Sequence, residues 1–214
     1  MVRPPRRKLG KVIKAVIRDA AARLPELSHV RAELILVVAG EARRASRATI
    51  RPLSFTDSHD RVSRDGKRAK PIVRLAGRRI RYVIVFRPMF FLRSTPEQRI
   101  ETILHELFHI SPRFDGTLSS ARRHSRLPGR AFSDRFQPLL RRYLAACPPE
   151  LREALAHEGE VLMRQWLERP APHFLVRPKD GSPRVAGRRV IFTDAQLFYG
   201  PIPMVTARPQ RKRR

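Results

Sequence analysis

Between residues 8 and 24 the apolar positions Leu9, Val12, Ile13, Val16, Ile17 and Leu24 recur at three- and four-residue steps, the spacing that gives a helix one buried face. An N-terminal amphipathic helix is predicted. The run Glu33-Leu34-Ile35-Leu36-Val37-Val38-Ala39 is short, rich in β-branched residues and closed by Gly40, which reads as a buried strand. A weaker strand is predicted over residues 49–55, and the polar, aperiodic stretch 56–70 reads as loop. Over residues 71–86 the pattern is that of a hairpin. Ile72-Val73-Arg74-Leu75 and the run 80–86 flank a turn holding Gly77, while Pro71 and Pro88 bracket the unit as they would a strand end or sheet edge.

The next boundary is sharper. Ser94-Thr95-Pro96-Glu97-Gln98 offers a Thr N-cap, a proline at the first helical position and a Gln three residues after the cap. A helix starts there and is predicted to run through Ile110, stopping near Ser111 because Pro112 disfavours helical geometry in the residue before it. After a polar stretch to about Arg130, helical patterns cover 132–146 and 149–168, parted by Pro148-Pro149. Residues 170–214 are rich in Pro and Gly, with strand patterns at 174–176 and 190–193 and an Arg-Lys-Arg-Arg end expected to be disordered. The sum is an α+β fold with an N-terminal helix, a small, mostly antiparallel sheet with a hairpin, a central helix and C-terminal helices. We expect residues 1–146 to form the core and 147–214 a helical and β extension with a basic tail.

The chemistry sits on the capped helix, in His105-Glu106-Leu107-Phe108-His109. Histidines four apart leave one helix face together, so both imidazoles can reach a single ion about 2 Å away. Glu106 projects about a quarter-turn from His105, where a carboxylate can hold a metal-bound water and take its proton. Ile100, Ile103, Leu104, Leu107 and Ile110 lie mainly opposite, which leaves the histidine face to line a cleft. With seven His and eleven Glu in 214 residues, a chance match is expected on the order of 0.01 times.

A catalytic zinc needs a third protein ligand and an open position for water. His124 follows after fourteen intervening residues, enough chain to leave the helix and return. Asp115 stands where the metzincin pattern takes its third ligand, but that pattern's turn glycine is replaced by Pro112, which cannot adopt positive φ. A downstream glutamate, Glu150, Glu153, Glu158 or Glu160, is a further alternative, set against the ordinary reading of a solvated helix face. His124 is preferred. Tyr82, Tyr143 or an arginine near His124 could assist the oxyanion, and the strand 80–86 could align a peptide by β-addition. His29, His59, His157 and His173 share no ligand spacing and are expected at the surface or in caps.

His105-Glu106-x-x-His109 followed at this distance by His124 resembles the SprT/Spartan-like zinc metallopeptidases, and also the small phage and bacterial metallopeptidases related to that zincin fold. The resemblance covers roughly residues 8–146. It implies zinc-dependent proteolysis, with DNA-associated proteins as a candidate substrate class and Zn2+ as cofactor. One departure is that many such proteins carry a cysteine zinc ribbon, which a single cysteine, Cys147, cannot build.

Composition alters this picture at one point. Lys and Arg number 46 against 19 Asp and Glu, a formal charge of +27, and all but seven of the cations are Arg. Such a field attracts polyanions, although the arginines are spread along the chain without a recognition signature. The alternative function is therefore a basic nucleic-acid-binding protein with a structural or inactive zinc site. Charged residues interrupt every N-terminal apolar run, and no stretch has the length of a membrane span, so a cytoplasmic protein is expected.

Overall fold

The computed structural model describes residues 6–41, 46–53, 68–69, 71–122, 129–170, 173–176, 184–185 and 191–205. In chain order they form helix α1 (Leu9–Arg23) and strands β1 (Ile35–Ala39), β2 (Ala48–Pro52), β3 (Arg68–Ala69), β4 (Ile72–Leu75), β5 (Arg78–Arg79) and β6 (Tyr82–Phe86). Helices α2 (Pro88–Phe91), α3 (Pro96–Phe108), α4 (Gly129–Ala146) and α5 (Pro149–Leu155) follow. The chain continues with β7 (Gly159–Trp166), β8 (His173–Val176), β9 (Arg184–Val185), β10 (Ile191–Phe192) and β11 (Leu197–Met204). This is a mixed α/β fold of several helices and small sheets, and no helix among the described residues is long and apolar enough to cross a membrane.

The N-terminal stripe becomes α1, which buries Leu9, Ile13, Val16, Ile17 and Ala20. In the sheet that positions the site, β6 is central, with β1 parallel on one side and β2 antiparallel on the other. All five residues of β1 are buried, as a continuous apolar run requires when both faces of a strand are covered. Ile35, Val37, Ile50, Tyr82, Ile84 and Phe86 join the core built with α1 and α3. Leu36, Val38 and Val83 point to the other face and pack with Val73, Leu75, Ile80 and Phe192.

Two expectations are corrected here. The hairpin is real at its turn, where Ala76 and Gly77 both take positive φ (46° and 75°) between β4 and β5. Its second strand, however, changes partner. The Ile80 amide still donates to Val73 O (2.9 Å), whereas the Arg81 amide donates to Leu34 O (2.9 Å), handing the chain to the other sheet. The run 80–86 is therefore not a free edge, because β6 is flanked on both sides. Among the described residues the strand of this sheet that lies beside α3 is the edge strand β2.

The second correction concerns residues 149–168. The helix stops at Leu155, and Gly159, at φ 118°, opens a strand in which alternate residues Val161 and Met163 are buried. Strand β7 pairs antiparallel with β11 over eight residues, and Ile202 and Met204 of β11 complete the same buried layer. Leu155, Val161, Met163, Ile202 and Met204 thus share one core with α1 and α3. The strand patterns at 174–176 and 190–193 appear as β8, paired with β3, and β10, parallel to β4. Residues 54–67 and the basic tail from 206 onward lie outside the described residues.

Candidate metal centre

Helix α3 begins as its sequence dictates. Thr95 Oγ1 accepts from the Gln98 amide (3.2 Å) and Gln98 Oε1 accepts from the Thr95 amide (3.0 Å), a reciprocal cap that satisfies two otherwise orphaned donors. The helix ends at Phe108, two residues before the predicted Ile110, because Ile110 leaves to bridge Leu118. His109 is the C-cap but keeps helical dihedrals (φ −75°, ψ −14°), so its ring still stands beside that of His105.

The two Nε2 atoms are 3.3 Å apart. Two nitrogens each about 2.0–2.1 Å from one ion at a tetrahedral angle lie roughly 3.3–3.4 Å apart, so the pair fits a shared zinc. His109 Nδ1 lies 2.7 Å from the carbonyl oxygen of Arg122. A proton on Nδ1 donated to that carbonyl leaves the Nε2 lone pair for a metal, the usual way a backbone acceptor fixes a ligand tautomer.

Glu106 is 6% exposed, and its Oε2 accepts from the Ile50 amide at 2.7 Å. The amides of Arg87 and Leu53 donate to Arg47 O and Arg81 O, so odd-numbered residues of β2 turn their backbone groups toward β6 and Ile50 turns its N–H to the edge away from β6. The motif carboxylate therefore sits against that edge. Burial pushes its pKa up to about 7, while the Ile50 hydrogen bond pulls the other way. A carboxyl near neutrality is suited to exchanging protons with water.

After α3 the chain doubles back. The Ser111 amide donates to Thr117 O (3.2 Å) and the Ser119 amide to His109 O (2.9 Å), which carries residues 120–122 past the histidine pair. The turn uses positive φ at Phe114 (48°) and Gly116 (83°) and is tied to β6. The Tyr82 hydroxyl accepts from the Gly116 amide and donates to Thr117 O (both 2.9 Å), and Arg81 donates to Phe114 O.

These contacts sort the sequence candidates. Asp115 Oδ1 accepts from the Thr117 amide (2.9 Å) and hydroxyl (2.6 Å); burial pushes its carboxyl up, but the hydrogen bonds hold it below its ordinary value. It is engaged in its own turn. Tyr82 is pinned to the same turn and burial pushes its pKa up to about 12, while the Tyr143 hydroxyl is buried beside Val16 O (3.4 Å). Glu150, Glu153, Glu158 and Glu160 are all exposed, and Glu160 pairs with Arg6. His124 and His59 lie outside the described residues. Among the described residues, no group of three or more His, Cys, Asp or Glu side chains is gathered to hold a metal.

Phe132 and Phe136 of α4 pack against the partly exposed imidazoles, with ring centroids 5.0 and 5.5 Å from that of His105, and Phe132 also lies 5.5 Å from His109. The sequence marked residues 132–146 as helical but gave no sign of which element they would meet. The Ile50 amide and the Arg122 carbonyl were likewise unforeseen, since backbone groups carry no sequence signature. No protein-family model, curated protein or solved structure matches the chain.

Proposed function

We propose that this chain is a zinc-dependent metallopeptidase of the zincin kind, with His105 and His109 as ligands, His124 as the third, and Glu106 as general base. The observation that carries the reading is the convergence of the two Nε2 atoms at 3.3 Å on the helix that also presents Glu106. The return of the chain supports His124, because Arg122, two residues earlier, already places its carbonyl 2.7 Å from His109 Nδ1. Zinc held there would supply Lewis acidity toward the scissile carbonyl and a more acidic water. Glu106 would be the group that accepts a proton from an attacking water and returns it to the leaving amine. The Ile50 amide holds the carboxylate in place.

The test is zinc content and cleavage of casein or histone by the wild type and Glu106→Gln. The variant should hold equimolar zinc and lose activity by about 10²-fold or more. Equal cleavage by both would remove Glu106 as the base and leave the site a structural one. In the same zinc assay His124→Ala should lose the metal while Asp115→Ala keeps it, and the reverse result would move the third ligand to Asp115.

A further inference from the structure

The proposed site is packed against an aromatic cluster whose two α4 members, Phe132 and Phe136, stand outside the ligand motif. Phe132 and Phe136 stand four residues apart on α4, so they present neighbouring rings on one face. The rings are near-parallel, at 28° and 5.8 Å. Phe132 meets His105 at 53° and His109 at 31°, and Phe136 meets His105 nearly edge-on, at 80°. Phe108, on α3 between the two histidines, meets Phe132 edge-on at 84° and 5.6 Å. Both phenyl side chains are themselves buried, at 7% and 2% exposure, and so belong to the packed interior rather than to a substrate-facing wall.

The rotation of an imidazole about its ring bond is broad, with no sharp staggered minimum. Two histidines on one helix face therefore converge on a point only when something else fixes their rings. For His109 the Arg122 carbonyl contributes, and Phe132 lies against the ring at a tilt of 31°. For His105 two phenyl rings meet the imidazole from different angles. Phe132 touches both rings, so it couples their orientations. We infer that Phe132, backed by Phe136, is a positioning residue that holds His105 and His109 with their Nε2 atoms turned to one point, so that docking of α4 against α3 prepares the metal pair. This rests on the metallopeptidase reading for the identity of the ion.

The full-length protein is tested with zinc alone, by competition against a chromophoric chelator, and with Co2+ by its visible spectrum. Four chains are compared: wild type, Phe132→Leu, Phe132→Tyr and Leu139→Val, the last a buried change two turns further along α4. Phe132→Leu should weaken zinc binding by about 10-fold or more, in the range seen when groups behind a metal ligand are removed, and should alter the Co2+ bands. Phe132→Tyr, which keeps the ring, should restore binding to within about threefold. Leu139→Val should lower Tm and leave zinc affinity as it was. A Phe132→Leu chain that binds as tightly as wild type with unchanged bands, or a Leu139→Val chain that loses as much affinity, overturns the inference while the zinc site stands. A wild-type chain that binds no zinc overturns the metallopeptidase reading and this inference together.

Discussion

Each side chain of the motif is held by a different part of the molecule: Glu106 by the Ile50 amide, His109 by the Arg122 carbonyl, His105 by the rings of Phe132 and Phe136. Near the same return of the chain lies His29, expected at the surface or in a cap. Its Nε2 is instead buried with no hydrogen-bond partner among the described residues. Burial, reinforced by the Arg122 guanidinium, lowers its pKa from the ordinary 6.5. Folded His29 thus takes up a proton less readily than unfolded His29. The stability associated with its neutral form is full above 6.5 and is lost as pH falls from there through the lower folded value. On acidification from about pH 7.5 to 5.5, wild type should lose more Tm than His29→Gln. Parallel curves would show that this imidazole does not contribute.

Helix α3 is the element whose limits were most legible, because its start depends on five consecutive residues and its cap is local. Thr95→Ala removes one acceptor from that cap and should cost about 1 kcal/mol by urea denaturation, with zinc affinity unchanged because the histidines lie three turns away. A shift in zinc affinity comparable to the loss of stability would instead mean that fraying at the start of α3 reaches the pair. Strand β7 shows the opposite case. Residues 159–166 carry apolar positions compatible with either period, and pairing with β11, more than thirty residues on, settles them as strand. Strand β6 forms where expected but with other partners, for a related reason: its composition fits a hairpin arm and a central strand equally well, and the exchange of partner at Arg81 is a tertiary event.

Arg99, on the first turn of α3, ties the molecule together around that helix. It is 1% exposed, and its guanidinium donates to Ser94 Oγ, Phe91 O, Val205 O and Leu155 O. One buried cation thereby joins α3 to the ends of α2, α5 and β11, which is how residues beyond 146 come to brace the site. Most of the other basic residues contribute to the field of a chain with a net charge of +27. That field predicts retention on a polyanion such as heparin or single-stranded DNA, with the logarithm of affinity falling linearly against the logarithm of salt concentration. A response flat in salt would make the charge incidental to binding.

The closeness of His105 and His109 was readable from sequence because four residues on a helix are one turn, and the cap that starts that helix is equally local. The strand β1 was readable because a continuous apolar run has few other uses. What could not be read was everything that joins distant residues: the Ile50 amide 56 residues from Glu106, the Arg122 carbonyl 13 residues from His109, the phenyl rings of α4 behind both imidazoles. Residue types and spacing specify which groups can bind an ion. Their orientation comes from backbone groups and packed rings whose positions depend on how the sheet and helices close around them.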